Sequence, residues 1–276
     1  MRGWWTAAVV PVLAGLLAGC GADRQQRPEG AEAKRPASSR TASATPTRPE
    51  PARPEVVLPT GPATAPGLDA AAPGARTFSA ERLRAALLPA SDFGRGLELD
   101  EVLAMPFEST HEQRRGRWSY CLDSTADPAW LGPAAYRGTT ASAHASWVDR
   151  THAPPRGHIV VTELLVSLRP AAARELHRVE QDILRHCREF GSDMEAGTAT
   201  ERYRAEPLKG LGDEAYLEVQ DIVYEGDTRT TYTAHVRVGG VLVQVISGEG
   251  TDRDATVRWA ARLAREVGSG LYGVGP

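Results

Sequence analysis

Apolar and polar residues alternate in several stretches between residues 77 and 276, and this two-residue repeat predicts β-strands. The predicted strands cover residues 97–105, 141–150, 158–168, 215–224, 230–238 and 241–247. The dipeptide Gly239-Gly240 separates the last two strands, and a two-residue glycine turn of this kind is typical of a β-hairpin.

A repeat of three and four residues between apolar positions predicts helices elsewhere. The longest covers residues 170–189 and begins at Pro170, a residue that suits the first turn of a helix. A second helix is predicted over residues 252–267, and a short one follows Ser79, whose side chain can cap it. This order predicts an α+β domain over residues 76–276, with an antiparallel sheet and two long helices packed on one face.

Residues 21–75 differ in composition from the predicted domain. They are rich in Pro, Ala, Arg, Ser, Thr and Glu, and they contain few large apolar residues. Such a segment buries too little apolar surface to offset the entropy lost on ordering. We therefore expect residues 21–75 to be a disordered tether that holds the domain away from the membrane.

The first twenty residues predict export. Arg2 is followed by an apolar run from Trp4 to Leu17, the pattern of a secretory signal peptide. The run is shorter than the roughly 20 apolar residues that a membrane-spanning helix needs. The tetrad Leu17-Ala18-Gly19-Cys20 resembles the lipobox of bacterial lipoproteins. The resemblance implies cleavage before Cys20, and the alternative is an ordinary signal peptide with an incidental cysteine.

A lipobox also implies a location for the mature protein. The sulfur of Cys20 would carry a diacylglyceryl group, with fatty acids such as palmitate, on the outer face of the cell membrane. Two acyl chains make a stable anchor, because each buried methylene contributes about 0.8 kcal/mol. The membrane is therefore the first expected partner.

The other two cysteines, Cys121 and Cys187, form an even pair in a chain expected to be exported. Disulfides persist in that environment, so we predict a bridge between them, with two buried free thiols as the alternative. Closing this loop would stabilise the domain by roughly 4 kcal/mol on the chain-entropy model.

The charge of the predicted domain argues against nucleic acid as a partner. Residues 76–276 carry 24 basic and 29 acidic side chains, whereas nucleic-acid-binding domains usually present a basic face.

Motifs for catalysis or metal binding do not occur in the sequence. It contains no Gly-x-Ser-x-Gly nucleophile motif and no glycine-rich phosphate loop. His144, Asp149, His152 and His158 form a local cluster, but without a recognised ligand spacing we expect no metal site and no cofactor.

Five aromatic residues fall within thirty positions and are the candidate lining of a ligand cleft. They are Trp118, Tyr120, Trp130, Tyr136 and Trp147. The alternative is that they form core packed around the predicted disulfide.

Several of these features together resemble the extracellular sensor domain of PknH-type serine/threonine kinases, a module shared by many actinobacterial lipoproteins. The resemblance is carried by the spacing of Cys121, Tyr136, Pro170 and Cys187. Two further stretches also resemble this sensor domain: Leu211-Gly212-Asp213-Glu214-Ala215 and the hairpin Arg237–Val243.

The resemblance extends over about residues 78–271 and implies an antiparallel sheet, two helices and a cleft for an unidentified ligand. The kinase domain has two disulfides, whereas this chain has cysteines for one. His186 also stands where the family often has a Trp.

We therefore expect a membrane-anchored extracellular lipoprotein with a sensor-like, non-catalytic domain. The expected ligand is a small molecule, lipid, glycan or protein. The alternative is a carrier or accessory lipoprotein for cell-envelope lipids, which a large apolar cavity would favour. An envelope enzyme is disfavoured, because the sequence shows no catalytic motif.

Overall fold

A computed structural model describes residues 60–71, 76–95, 97–106, 138–149, 158–186, 188–194, 197–248 and 251–274. The predicted signal peptide with Cys20, the tether up to residue 59, and both cysteines of the predicted disulfide lie outside these ranges. No helix among the described residues is both long and apolar enough to cross a bilayer.

The core of the fold is one antiparallel sheet of eight strands in the order β1-β2-β3-β8-β7-β6-β5-β4. The strands are β1 (Glu98–Pro106), β2 (Thr139–Asp149), β3 (His158–Leu168), β4 (Glu189–Met194), β5 (Gly197–Pro207), β6 (Glu214–Tyr224), β7 (Asp227–Val238) and β8 (Val241–Ser247). Three α-helices lie within the described ranges: α1 (Ala80–Ala85), α2 (Pro170–His186) and α3 (Arg253–Glu266).

The predicted antiparallel sheet is confirmed, and each of the six predicted strands matches an observed one to within about three residues. Strands β4 and β5 were not predicted. The helix predicted to reach residue 189 ends at His186, because the chain there enters β4.

Helices α2 and α3 lie on opposite faces of the sheet. Val243 and Val245 of β8 share a buried apolar cluster with Leu263 of α3. Leu242, whose side chain points the other way, shares a second cluster with Leu176 of α2. Successive side chains of a strand alternate between faces, so the two clusters cover opposite sides.

The prediction of two long helices on one face is therefore wrong. Central strands contain consecutive apolar residues, as in Leu164-Leu165-Val166 of β3 and Val241-Leu242-Val243 of β8. Such runs put apolar side chains on both faces, and each face then needs its own cover. One long helix on each side meets that need.

The hairpin turn at Gly239 and Gly240 is confirmed. Gly239 has a φ of 59°, in the left-handed region that favours glycine. A Cβ atom on Gly240 would lie 2.5 Å from the carbonyl oxygen of Leu168, so the close approach of β3 also requires glycine.

Residues 60–71, here called the strap, are packed against the domain. Leu68 is fully buried, and Ala65 forms a parallel bridge with Leu211. The guanidinium of Arg265 on α3 donates to two strap carbonyl oxygens at 2.6 and 2.7 Å.

The predicted tether boundary at residue 75 is therefore wrong for the strap. The overall composition of residues 21–75 predicted disorder there, but the apolar side chains of Ala65 and Leu68 are buried in the core.

A buried guanidinium ties the strap to the sheet. Arg237 on β7 is 1% exposed and donates to both carboxylate oxygens of Asp69, at 2.6 and 3.0 Å. Its Nε atom donates to Glu214 at 3.0 Å. The hydrogen bond from Arg237 lowers the pKa of Asp69 below its ordinary value. This geometry is the bidentate arginine–carboxylate pair, among the stronger hydrogen-bonded contacts in proteins.

The carboxylate of Asp213 connects the strap to the hairpin turn. One of its carboxylate oxygens accepts from the backbone N–H groups of Leu68 and Asp69, each at 2.6 Å. The other accepts from the N–H of Gly239 at 2.6 Å. The stretches that carry the family resemblance, around residues 211–215 and 237–243, therefore join the strap to the hairpin.

A second buried acid lies on the α3 side. Glu163 of β3 is fully buried and accepts hydrogen bonds from the N–H of Leu88 at 3.0 Å and from Nε1 of Trp147 at 3.4 Å. Burial raises the pKa of Glu163 from 4.5 to about 8. The side chain is therefore held mainly as the neutral acid near pH 7.

If the strap belongs to the folded unit, Leu68→Ala should lower the free energy of unfolding of the full chain by about 3 kcal/mol, the range for a buried leucine. Leu99→Ala is the matched control, because Leu99 is 44% exposed. It should change stability by less than about 0.5 kcal/mol. Urea unfolding followed by circular dichroism measures both, and an equally small loss at Leu68 would contradict the docking of the strap.

The raised pKa of Glu163 predicts the direction of a pH effect. The folded state holds this proton more tightly than the unfolded state, so stability is lost as pH rises from about 4.5 to 8. Glu163→Gln removes this contribution. The free energy of unfolding of Glu163→Gln, minus that of the unmodified chain, should therefore increase by a few kcal/mol as pH rises through this range.

Urea unfolding at pH 5 and pH 8 measures the effect. Glu189→Gln, at a carboxyl that is 59% exposed, is the control and should show no such trend. A constant difference between Glu163→Gln and the unmodified chain at both pH values would contradict the prediction.

Candidate functional site

The α2 side of the sheet carries a set of polar side chains, here called the polar floor. They come from alternate positions of β5, β6, β7 and β8, and they share the face of Leu242. The members are Glu201, Tyr203, Tyr216, Glu218, Gln220, Thr231, Thr233, His235 and Gln244. All but Tyr216 and His235 are half-buried, so most of the floor remains within reach of solvent.

The outer part of the polar floor is a hydrogen-bonded array around Gln220. Its side-chain nitrogen donates to Glu201 at 2.9 Å and to the hydroxyl of Tyr203 at 2.7 Å. Its side-chain oxygen accepts from Thr231 at 3.2 Å. Tyr203 also donates to Glu201, and burial together with this bond raises the pKa of the phenol. These side chains hold one another in fixed orientations.

The inner part is centred on His235 of β7. Its Nε2 atom lies 2.9 Å from Glu218 of β6, and its Nδ1 atom lies 3.7 Å from Glu180 of α2. The side chain of Gln244 lies 3.2 Å from the same Nδ1 atom. Tyr216 stacks on the imidazole with a centroid distance of 4.4 Å and donates to Glu180 at 3.5 Å. One imidazole thus connects the sheet to α2.

Burial shifts the pKa values of the titratable groups in this inner part. It raises the pKa of Glu180 to about 7, although the charge of His235 opposes the rise. Burial alone would lower the pKa of His235, but the hydrogen bond to Glu218 and the charges of Glu218 and Glu180 outweigh it and raise the pKa. His177 on α2 has its pKa lowered to about 3, chiefly by burial. The site therefore combines a neutral imidazole at His177, a second imidazole at His235 whose pKa is raised, and a carboxyl at Glu180 that titrates near neutrality.

A pocket of about 420 Å³ opens beside α2. It is lined by Arg174, Glu175, His177, Arg178 and Gln181 of the helix and by Glu214 of β6. A side-chain nitrogen of Arg174 also lies 3.6 Å from Asp69, so the rim of the pocket adjoins the strap. Charged, amide and imidazole groups at this position suit a polar ligand with several hydrogen-bonding groups.

Only one residue of the predicted aromatic cleft lies in the described ranges. Trp147 is half-buried on the α3 side, against the large apolar cluster, with its ring 6.1 Å from that of Phe93. It is therefore on the face opposite the polar floor. Trp118, Tyr120, Trp130 and Tyr136 lie outside the described residues.

The histidine cluster examined for metal binding is only partly described. His144 pairs with Glu101 across β1 and β2, at 3.5 Å. Within the described ranges, no three His, Cys, Asp or Glu side chains are arranged to hold a metal ion.

The polar floor was not predicted from the sequence. The signal available was the alternation in β7, where Thr231, Thr233 and His235 interleave with apolar residues, and this pattern equally indicates a strand face in water. What distinguishes the floor is Glu180 of α2, whose carboxyl group lies 3.7 Å from Nδ1 of His235.

Comparison with known proteins supports the fold at low sequence identity. No protein-family model matches the chain, and no curated protein matches it. The crystal structure of the extracellular domain of PknH from Mycobacterium tuberculosis is similar, with a TM-score of 0.51 and 15% sequence identity. The match covers 71% of this chain and 100% of that domain. At this identity the likeness shows the fold alone, which resembles that of the PknH extracellular domain.

Proposed function

We propose that the chain is a lipid-anchored extracellular protein that binds a polar ligand on the polar floor and does not catalyse a reaction. The observation that carries the proposal is the array of half-buried hydrogen-bonding side chains on the sheet, together with a polar pocket along the helix that packs on the same face. Such pre-oriented groups bind a ligand without a large loss of side-chain entropy. The fold shared with an extracellular sensor domain agrees with this role.

The chemistry of the floor favours particular ligands. Glu201 and Glu218 contribute negative charge, which repels the phosphates of nucleic acids. Amides, hydroxyls and carboxylates together suit a ligand rich in hydrogen-bond donors, such as a small polar metabolite or a glycan. A protein partner that presents such groups fits the same chemistry.

The carrier of cell-envelope lipids is the weaker candidate. A lipid chain needs an apolar cavity, because polar groups left without partners against hydrocarbon are costly. The pocket beside α2 is instead lined by three charged arginine and glutamate side chains of the helix, with Glu214, His177 and Gln181.

The anchor rests on the lipobox-like tetrad that ends at Cys20. Cys20→Ala should move the protein from the membrane fraction to the soluble fraction and abolish incorporation of labelled palmitate, because both acyl chains are lost. Ser39→Ala, in the predicted tether, is the control and should leave the protein in the membrane fraction. An unchanged membrane fraction for Cys20→Ala would overturn the assignment.

Ligand binding is tested by native mass spectrometry of the full chain in mild detergent. The protein is mixed in turn with a polar extract and a phospholipid extract of its host's envelope. We expect a bound mass from the polar extract. Gln220→Ala should weaken that binding about tenfold, because it removes the residue that orients Glu201 and Tyr203.

Thr228→Ala, at an exposed position of the same strand pair, is the matched control and should bind as the unmodified chain does. A bound mass from the phospholipid extract alone would favour the carrier. No bound mass from either extract would contradict the binding proposal.

A further inference from the structure

The two halves of α2 are attached to the sheet in different ways. In the first half, Ala173 and Leu176 pack in the apolar cluster with Val166, Leu168 and Leu242. In the second half, Glu180 and His177 face the polar floor. Val179 and Leu184 are buried in the second half as well, so the feature that distinguishes this half is its two titratable groups at the interface with the sheet.

Glu180 is surrounded by the polar floor on three strands. From β6 it meets Tyr216, which donates to it at 3.5 Å, and the charge of Glu218. From β7 it meets His235 at 3.7 Å. From β8, Gln244 lies against the same ring nitrogen of His235. Its side chain is 15% exposed.

His177 lies one turn before Glu180 and is 2% exposed. Its ring is 5.0 Å from that of Tyr216, and its Nε2 atom lies 3.1 Å from the amide of Gln181. The charges of His235 and Arg237 both act against its protonation. The imidazole is therefore buried as a neutral group.

We propose that the second half of α2, residues 177–186, is a movable cover of the polar floor, held shut by burying Glu180 as a neutral acid and His177 as a neutral imidazole. Ionisation of either group favours the open position, where water can solvate its charge. The cover thus controls access to the proposed ligand site, and its biological meaning rests on the proposed function.

The two groups respond to pH in opposite directions. Closure raises the proton affinity of Glu180, so opening becomes easier as pH rises from about 4.5 to 7. Closure lowers the proton affinity of His177, so opening becomes easier as pH falls from 6.5 to about 3. Opening is therefore favoured at higher pH by Glu180 and at lower pH by His177. Between these two ranges, at mildly acidic pH, the closed position should be most stable.

The pair His235 and Glu218 remains together when α2 moves, because both residues belong to the sheet. Burial lowers the pKa of His235, whereas Glu218 and the charge of Glu180 raise it, so movement of α2 removes contributions of opposite sign at this residue. The remaining polar neighbours, Gln181 and Gln244, do not titrate.

The opposing effects give a test with two matched variants. Hydrogen exchange of the full chain without ligand, corrected for the intrinsic pH dependence of exchange, reports the protection of residues 177–186 at pH 5 and pH 8. In His177→Gln, where only the acid remains, protection should fall about tenfold or more from pH 5 to pH 8. In Glu180→Gln, where only the imidazole remains, it should rise about tenfold or more.

The unmodified chain should change by only a few-fold over the same range, since its two groups offset each other. Glu175→Gln, at an exposed position of the same helix, is the control and should behave like the unmodified chain. Protection of β7 and β8 provides the internal reference for global unfolding.

Opposite slopes in the two variants support the cover. Equal slopes, or a slope in Glu175→Gln as large as in Glu180→Gln, would overturn it. If Glu180→Gln does not fold, His177→Gln decides alone, because pH-independent protection in that variant also overturns the cover. No ligand is present, so this result is separate from the binding of envelope extracts, which tests the proposed function.

Discussion

The ion cluster around Arg237 holds together parts of the chain that are distant in sequence. A buried guanidinium is costly to desolvate, and here Asp69 and Glu214 compensate it with direct hydrogen bonds. Asp213 completes the arrangement by binding backbone N–H groups of the strap and of the hairpin turn. Removal of one acidic partner would leave the buried guanidinium less well compensated, so these contacts join the strap, the start of β6 and the hairpin into one unit.

Much of the sheet could be predicted from the sequence, because its strands obey the two-residue repeat. Strands β4 and β5 did not follow from the pattern, since Thr198, Thr200, Arg202 and Arg204 give little apolar alternation. β5 is held by pairing with β6, and β4 pairs with β5 at the edge of the sheet; this pairing is not evident from the local sequence pattern. The position of α2 was missed for a different reason, because an amphipathic helix does not reveal which face of a sheet it covers.

The candidate site was harder to predict than the fold. His235 and Gln220 lie at strand positions that local pattern assigns to water, and their neighbours come from β5, β6 and α2. Only tertiary contact turns these separate residues into a connected array. By contrast, the role of Gly239 and Gly240 was evident from sequence, because a two-residue turn depends on backbone conformation alone.

The direction of the strap has a mechanical consequence. Along the strap, Arg265 of α3 binds the carbonyl oxygens of Pro62 and Thr64, and the chain reaches Asp69 and its contact with Arg237 only afterwards. A force applied at residue 60 is therefore resisted first by the exposed hydrogen bonds of Arg265 and only then by the buried Arg237. Because Asp69 also lies against Arg174 in the first half of α2, the final contact in this series connects the load to the helix that borders the polar floor.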